Sequence, residues 1–423
     1  MRMNLRFIPL LLLLLFVTTC STKKKDAIAL VGATLIDGTG KAPIKDAVII
    51  FEKGKITAIG TQSTITIPDN ASQIKVAGKT IMPGIINAHG HIGGTEGLSA
   101  VYSAANVARD LKLNAAYGIT TVYSLGGDGK ESVAIRDEQD TILLNRSRLY
   151  VAGEVITGST PEEARTNVDK NAAMNVDYIK IRVDDNLGTA EKMKPEIYQA
   201  IIEQASKHNL QVVAHIFYLE DAKALLRSGV KFIGHSVRDQ KVDEEFIRLM
   251  KENDAVYCPT LMREVSTFVY EDTPEFFQDP FFLKHADTAV IQQLKDPVRK
   301  QLVRTSLATN IYKGAFFVAK YNLKLLSDAG VRIAMGTDAG PPGRFQGYFE
   351  HLELEQMVDA GLTPLQAITA ATGHAVYNKQ QSQLGTLEVG KAADLQILGA
   401  DPLQHIQNTR TIESVWIGGH KIP

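Results

Sequence analysis

One pattern constrains this 423-residue chain more than any other: short apolar runs that each end in a residue able to bind a metal, with helical stretches between them. IMPGIINAHGH ends in His89 and His91. VDYIKIRVDD carries Lys180, LQVVAHIFY carries His215, VKFIGHSVRD carries His235 and VRIAMGTDAG carries Asp338. Segments 195–208, 219–229 and 243–253 have the apolar spacing of helices. Strands alternating with helices imply a parallel sheet, and eight such units close into a barrel. The strands are expected at 80–88, 118–125, 148–157, 176–183, 210–216, 231–236, 255–261 and 331–337. The candidate ligands then fall on strands one, four, five, six and eight, near their C-terminal ends, where barrel active sites form.

The spacing supports this numbering. His91 and Lys180 are 89 residues apart, which fits three βα units of about 30 residues each. Lys180 to His215 is 35 residues and His215 to His235 is 20. His235 to Asp338 is 103 residues, too long for two units, so an insertion is expected at about 263–307. Its aromatic and acidic stretch, REVSTFVYEDTPEFFQDPFFLKHAD, suits a lid or a pocket wall. The same segment could instead be a subunit contact in a homo-oligomer. Within a strand, residues i and i+2 share a face, so His89 and His91 converge on one point. Imidazole pairs suit zinc and similar divalent ions.

These residues, in this order, resemble the amidohydrolase superfamily. TPLQAITAATGHAV (363–376) and LGTLEVGKAADLQIL (384–398) add to the likeness, which covers essentially all of the chain after its leader. The branch it looks like has a strand-four lysine and includes prolidases and imidazolonepropionase-like proteins. The resemblance implies an α/β fold, a (β/α)8 TIM barrel over 79–385, beside a small β-sandwich from 27–78 and 386–423. It also implies two divalent metal ions, with zinc expected. His89, His91 and Asp338 would hold one, and His215 and His235 the other. Lys180, carboxylated on its amine, would bridge them, since a lysine cation has only donors. Asp338 would take a proton from water and pass it to the leaving amine. The residues alone also allow blander roles: core histidines, a substrate-contacting Lys180, a turn-capping Asp338.

Arginines cluster just past the expected strand ends: Arg182, Arg238, Arg263 and Arg344. The guanidinium fork binds carboxylates, so an anionic substrate such as an N-acyl amino acid or a dipeptide is expected. The alternative is pairing with Asp184, Asp185, Asp239 or Glu264. Tyr218, three residues after His215, is a candidate oxyanion donor; simple packing is its alternative.

Residues 1–20 hold Arg2 and Arg6, an apolar run at 7–17, and then Thr-Thr-Cys. The run is too short to span a bilayer and reads as a signal peptide. Cys20 resembles the lipidated cysteine of a bacterial lipobox, although Thr19 replaces the usual small residue. Residues 21–26 would be a tether. The expected location is an exported, membrane-anchored lipoprotein; an ordinary secretory signal is the alternative. Removing the leader takes two arginines and no acid, which moves the formal charge from −1 to −3. That excludes bulk attraction to nucleic acid. With Cys20 lipidated, Cys258 has no disulfide partner within the chain and reads as a small buried strand residue.

The expected activity is metal-dependent hydrolysis of an amide bond in a small carboxylate-bearing molecule. A cyclic amide, imidazolone, ester or lactone is the runner-up. A non-catalytic metal- or ligand-binding lipoprotein is the reading from another class, and loss of hydrolysis on chelation separates the two.

Overall fold

The computed structural model describes residues 27–423; the leader, Cys20 and the tether lie outside the described residues. The chain begins with β1 (Ala27–Leu35), β2 (Ile44–Glu52), β3 (Lys55–Thr61), β4 (Ser72–Lys75) and β5 (Thr80–Pro83). Next come β6 (Ile85–Gly90), a two-strand ribbon of β7 (Thr95–Glu96) and β8 (Ser99–Ala100), and then β9 (Ile119–Ser124) and β10 (Arg148–Val151). β11 (Tyr178–Val183), β12 (Gln211–Ile216), β13 (Phe232–Gly234), β14 (Val256–Cys258) and β15 (Arg332–Ile333) follow, separated by helices. The chain ends with β16 (Leu395–Leu398), β17 (Ile412–Ile417) and β18 (His420–Lys421).

Both chain ends build one mixed sheet, in the order β18-β17-β16-β5-β1-β2-β3, with β4 also on β1. The sheet curls until its two halves meet. Phe51 on β2 packs edge-on against Trp416 on β17, their ring centroids 5.5 Å apart. One buried cluster joins Leu30, Ile49 and Phe51 to Ile81, Leu395 and Trp416. A bonded sheet folded on itself thus provides the buried core that two separate sheets were expected to form.

The parallel strands form two arcs, β10-β9-β6 and β11-β12-β13-β14-β15. The arcs touch through single bridges, Ile156 with Ile181 and Gly90 with Ala339, so no continuous ladder runs around the ring. The architecture is of the TIM-barrel type; in place of the expected closed ladder, the bridges and separate backbone hydrogen bonds, such as Ala88 to the Met335 carbonyl and Asp177 to the Val151 carbonyl, join the arcs. Alternate strand residues, among them Ile86, Ala88, Tyr123, Val213, Phe232 and Val256, fill the interior. Their sequence neighbours, including Ile85, Val122, Ala214 and Ile233, pack outward against the helices.

The first strand differs from the expected 80–88. Pro83 ends β5 on the small sheet, and Gly84 turns the chain into β6. A Cβ at Gly84 would lie 2.1 Å from the Thr120 side chain, so close packing requires glycine there. The insertion is built of short helices, ending with Pro297–Thr305, and the long helix Leu307–Asp328 follows it.

Candidate metal centre

The interior alternation of Ile86 and Ala88 would point His89 and His91 outward. A register irregularity between Asn87 and Gly90 reverses this. A Cβ on Gly90 would face the outward Asn87 and Val122 side chains. His89 lies instead beside the inward Gly336, whose added Cβ would be 2.8 Å from the His89 Cβ. Extra residues that re-aim side chains are what β-bulges supply. His235 follows the inward-facing Gly234 and turns with φ 74°; Thr260 (φ 48°) and Asp338 (φ 56°) are also left-handed. Such backbone is costly for residues with a Cβ and clusters at functional sites.

The four imidazoles form a row. Ring centroids are 5.9 Å apart for His91 and His89, 4.5 Å for His89 and His235, and 4.1 Å for His235 and His215. The Asp338 Oδ1 atom lies 2.8 Å from His91 Nε2 and 3.6 Å from His89 Nε2. These three residues offer ligand atoms all within 4.8 Å of one another, the group of this kind among the described residues. Lys180 Nζ is 3.0 Å from His89 Nε2. His215 and His235 lie alongside but outside the trio.

For three of the four rings the hydrogen bonds show which nitrogen is left for a metal; His89 Nδ1 is buried without a partner. His91 Nδ1 donates to the Gly126 carbonyl at 3.0 Å, which turns Nε2 toward the Asp338 carboxylate at 2.8 Å. Either a proton on Nε2 or a metal ion shared with the carboxylate satisfies that contact. His215 Nε2 meets the Asp184 carboxylate at 2.8 Å, leaving Nδ1. His235 Nδ1 meets the Thr260 hydroxyl at 2.6 Å, leaving Nε2. Metal-binding imidazoles are held in this way through the far nitrogen. The donor set therefore fits divalent ions.

Electrostatics agrees. Burial, with Lys180 adding, pushes His89 well below the ordinary histidine range. Burial pushes His215 down to about 3, against the Asp184 hydrogen bond. His235 is lowered by burial and by its histidine neighbours. All three are thus neutral near pH 7, the form that ligates. Burial also takes Lys180 down to about 8, partly offset by Asp338. Burial works to raise Asp338, but Arg344 and the His91 hydrogen bond outweigh it and hold the carboxyl well below its usual range.

The four arginines separate. Arg344 NH1 pairs with Asp338, and its Nε donates to Ser266 Oγ at 3.0 Å. Arg182 is half-exposed, its bonds to Asp184 and Asn186 both long at 3.4 Å. Arg238 and Arg263, expected at the substrate, are instead committed to the buried Glu264, each at 3.1 Å. Arg238 also donates to the Ile216 and Ser236 carbonyls, and Arg263 to the Tyr312 hydroxyl. A buried carboxylate needs such counter-charges, and for these two arginines the alternative of pairing with Glu264 is the one found. The Tyr218 hydroxyl donates to Asp185 at 2.8 Å, so its proton is already engaged there.

Three residues of the site were not assigned a role there by sequence reasoning. Asp184 was weighed only as an arginine partner, and Thr260 and Asp128 were not considered. Asp128 is fully buried behind His91 with one oxygen unpartnered, and burial pushes its carboxyl up to about 7. The acidic residue one position past β11 was the available signal for Asp184; nothing local marks Thr260.

The model of the amidohydrolase family matches residues 80–270 and 320–422. The chain is 26% identical to an ochratoxinase from Aspergillus niger, over 99% of this chain and 89% of that protein. It is 21% identical to an imidazolonepropionase from Rhodococcus jostii, over 95% of this chain and 96% of that one. Among solved structures, a Xaa-Pro dipeptidase with bound methionine in its active site superposes with a TM-score of 0.76. It shares 21% identity, over 93% of this chain and 99% of that one.

Proposed function

The chain belongs to the amidohydrolase family, and we propose that it hydrolyses the amide bond of a small carboxylate-bearing molecule such as a dipeptide or an N-acyl amino acid. The observation that carries this reading is the Asp338 carboxylate, held between the His91 imidazole on one side and the Arg344 guanidinium on the other. One group there can hold the proton that hydrolysis moves, and another can receive a substrate carboxylate. Ochratoxinase, imidazolonepropionase and a Xaa-Pro dipeptidase among the similar proteins support hydrolysis of an amide bond.

Two divalent ions, zinc by expectation, would be held by His89, His91 and Asp338 and by His215 and His235, with a carboxylated Lys180 shared between them. Bound there, they would polarise the scissile carbonyl and lower the pKa of water. Asp338 would accept the proton of the attacking water and deliver it to the leaving amine. Arg344 and the half-exposed Arg182 would orient the substrate carboxylate. Tyr218 serves the developing oxyanion only once its hydroxyl leaves Asp185. We also propose export and anchoring through Cys20. Membrane fractionation of Cys20→Ser tests that point, with release from the membrane as the expected result.

Elemental analysis of the purified protein, with and without bicarbonate, is the direct test. About two metal equivalents per chain, falling in Lys180→Ala, would support the shared-lysine centre and justify screening N-acyl amino acids and dipeptides. One equivalent indifferent to Lys180→Ala would give a mononuclear site. No tightly bound metal would overturn the mechanism.

A further inference from the structure

Residues 21–26 lead into Ala27, which opens β1 opposite Glu52, beside the Lys53–Gly54 turn between β2 and β3. That turn forms one wall of a groove of about 480 Å³. The 139–144 loop forms the other, and carries Ile142 and Leu143, 46% and 73% exposed. Leu144 beside them is buried with Ala115, Val415 and Ile417, so the loop is seated on the small sheet while its two neighbours stand in the open. Lys53 and Lys55, both exposed, line the groove. Asp140 is the single acid among its lining residues and lies 3.7 Å from Arg148. A lipid on Cys20 would reach Ala27 across seven residues, about 25 Å when fully extended. A chain of this size is roughly 55 Å across. So short an anchor cannot let the far side of the protein turn to the membrane; the Ala27 end must face it.

We propose that this groove rests on an anionic bilayer surface, with Lys53 and Lys55 among the headgroups and Ile142 and Leu143 at the acyl boundary. The inference rests on the Cys20 anchor. The sequence just before Ala27 adds charge of the same sign, Lys23, Lys24 and Lys25 against Asp26. Basic segments beside an anchor are drawn to anionic headgroups, and a lipid chain holds better with such a second signal. Seated this way, the metal centre opens away from the lipid. The 139–144 loop leads to Arg148 at the start of β10, which runs parallel to β9, and β9 to β6. His89 and His91 lie at the opposite end of β6. Substrate therefore reaches the site from water, which favours a small soluble molecule over a lipid.

The full chain, reconstituted into phosphatidylglycerol vesicles that contain brominated phospholipid, tests this with an environment-sensitive fluorophore on Leu143→Cys. Phe317→Cys, on helix Leu307–Asp328 and 71% exposed, is the control. Both positions are exposed, so circular dichroism should match the parent, and the buried Cys258 takes no label. The Leu143 label should lose most of its fluorescence to the brominated lipid, and the Phe317 label should keep it. Lys53→Glu/Lys55→Glu should restore the fluorescence at Leu143, because two cations facing the headgroups become two anions. Equal loss at the two positions, or a loss at Leu143 that charge reversal leaves intact, would overturn the proposal. So would a Leu143 label that stays bright, which would leave the groove to a protein partner. Mass spectrometry of the N-terminal peptide reads the lipid on Cys20 separately. A lipidated chain with an unquenched Leu143 label overturns this face alone, whereas a chain without the lipid overturns the anchor and the face together.

Discussion

Asp184 fixes the direction of His215 and, with it, which ring nitrogen is left free. Replacing it by asparagine would keep the shape and lose the anionic acceptor. Metal affinity of Asp184→Asn, read by chelator competition, is expected to fall 10- to 100-fold. Thr260→Val should act similarly through His235. A second residue-scale consequence concerns pH. Glu350 is buried, bonded to Asn87 and Thr337 through one oxygen, and its other oxygen has no partner. Burial raises its carboxyl from 4.5 to about 7. Between those values Glu350 binds more protons in the folded state than in the unfolded one, so its own contribution to stability falls as pH rises through that window. The buried histidines act in the opposite sense, because they take up protons only on unfolding. Glu350→Gln should therefore gain stability relative to the parent from pH 5 to pH 7, read by melting temperature; an unchanged difference would place the titration elsewhere.

At the scale of the element, the site depends on strand ends that break their own alternation. The bulge before Gly90 turns His89 inward, and left-handed backbone turns His235. Gly340 locks the eighth strand's loop against the first. It has φ 119°, and an added Cβ would lie 2.1 Å from the His91 carbonyl oxygen. Gly340→Ala combines a backbone clash with an unfavourable conformation and is expected to cost about 2–5 kcal/mol. Thermal unfolding measures the cost, and a loss of metal should accompany it because His91 must move. The helix Leu261–Val265 is a further case. Glu353 accepts the Leu261 and Met262 amides, each at 2.7 Å, and so anchors the turn that carries Thr260.

At the scale of the whole molecule, the two units are joined by charge as well as by chain. Arg148 at the start of β10 donates through Nε to Asp394 at 2.8 Å, and Asp394 also accepts the Gly418 amide at 2.6 Å. Asp394→Ala would leave the largely buried Arg148 with only the exposed Asp140, 3.7 Å away, at an expected cost of about 3–5 kcal/mol. Trp416 is the only tryptophan and sits in the small sheet. Its fluorescence therefore reports that sheet, while circular dichroism is dominated by the barrel. The two unfolding curves should coincide in the parent and separate in Asp394→Ala.

The sequence by itself determined the alternation of strands and helices, the insertion, and the five strand ends that carry candidate metal ligands, because apolar periodicity and residue chemistry are local properties. Strands expected at 118–125, 176–183 and 210–216 are found at 119–124, 178–183 and 211–216. The end of β5 at Pro83 was missed, since the apolar run Thr80–Ala88 continues across two sheets without a change of pattern. Only the tertiary structure decided which arginines stay available. Arg238 and Arg182 look alike in sequence, and the difference is that the chain folds a buried Glu264 against one and leaves the other at the rim. Tertiary structure likewise chose the free nitrogen of His91, His215 and His235, because that choice is made by Gly126, Asp184 and Thr260. Asp184 and Gly126 are more than 30 residues from the ring each one holds, and Thr260 is 25 from His235. Hydrogen-bond partners brought together by folding leave no periodicity in the chain that could announce them.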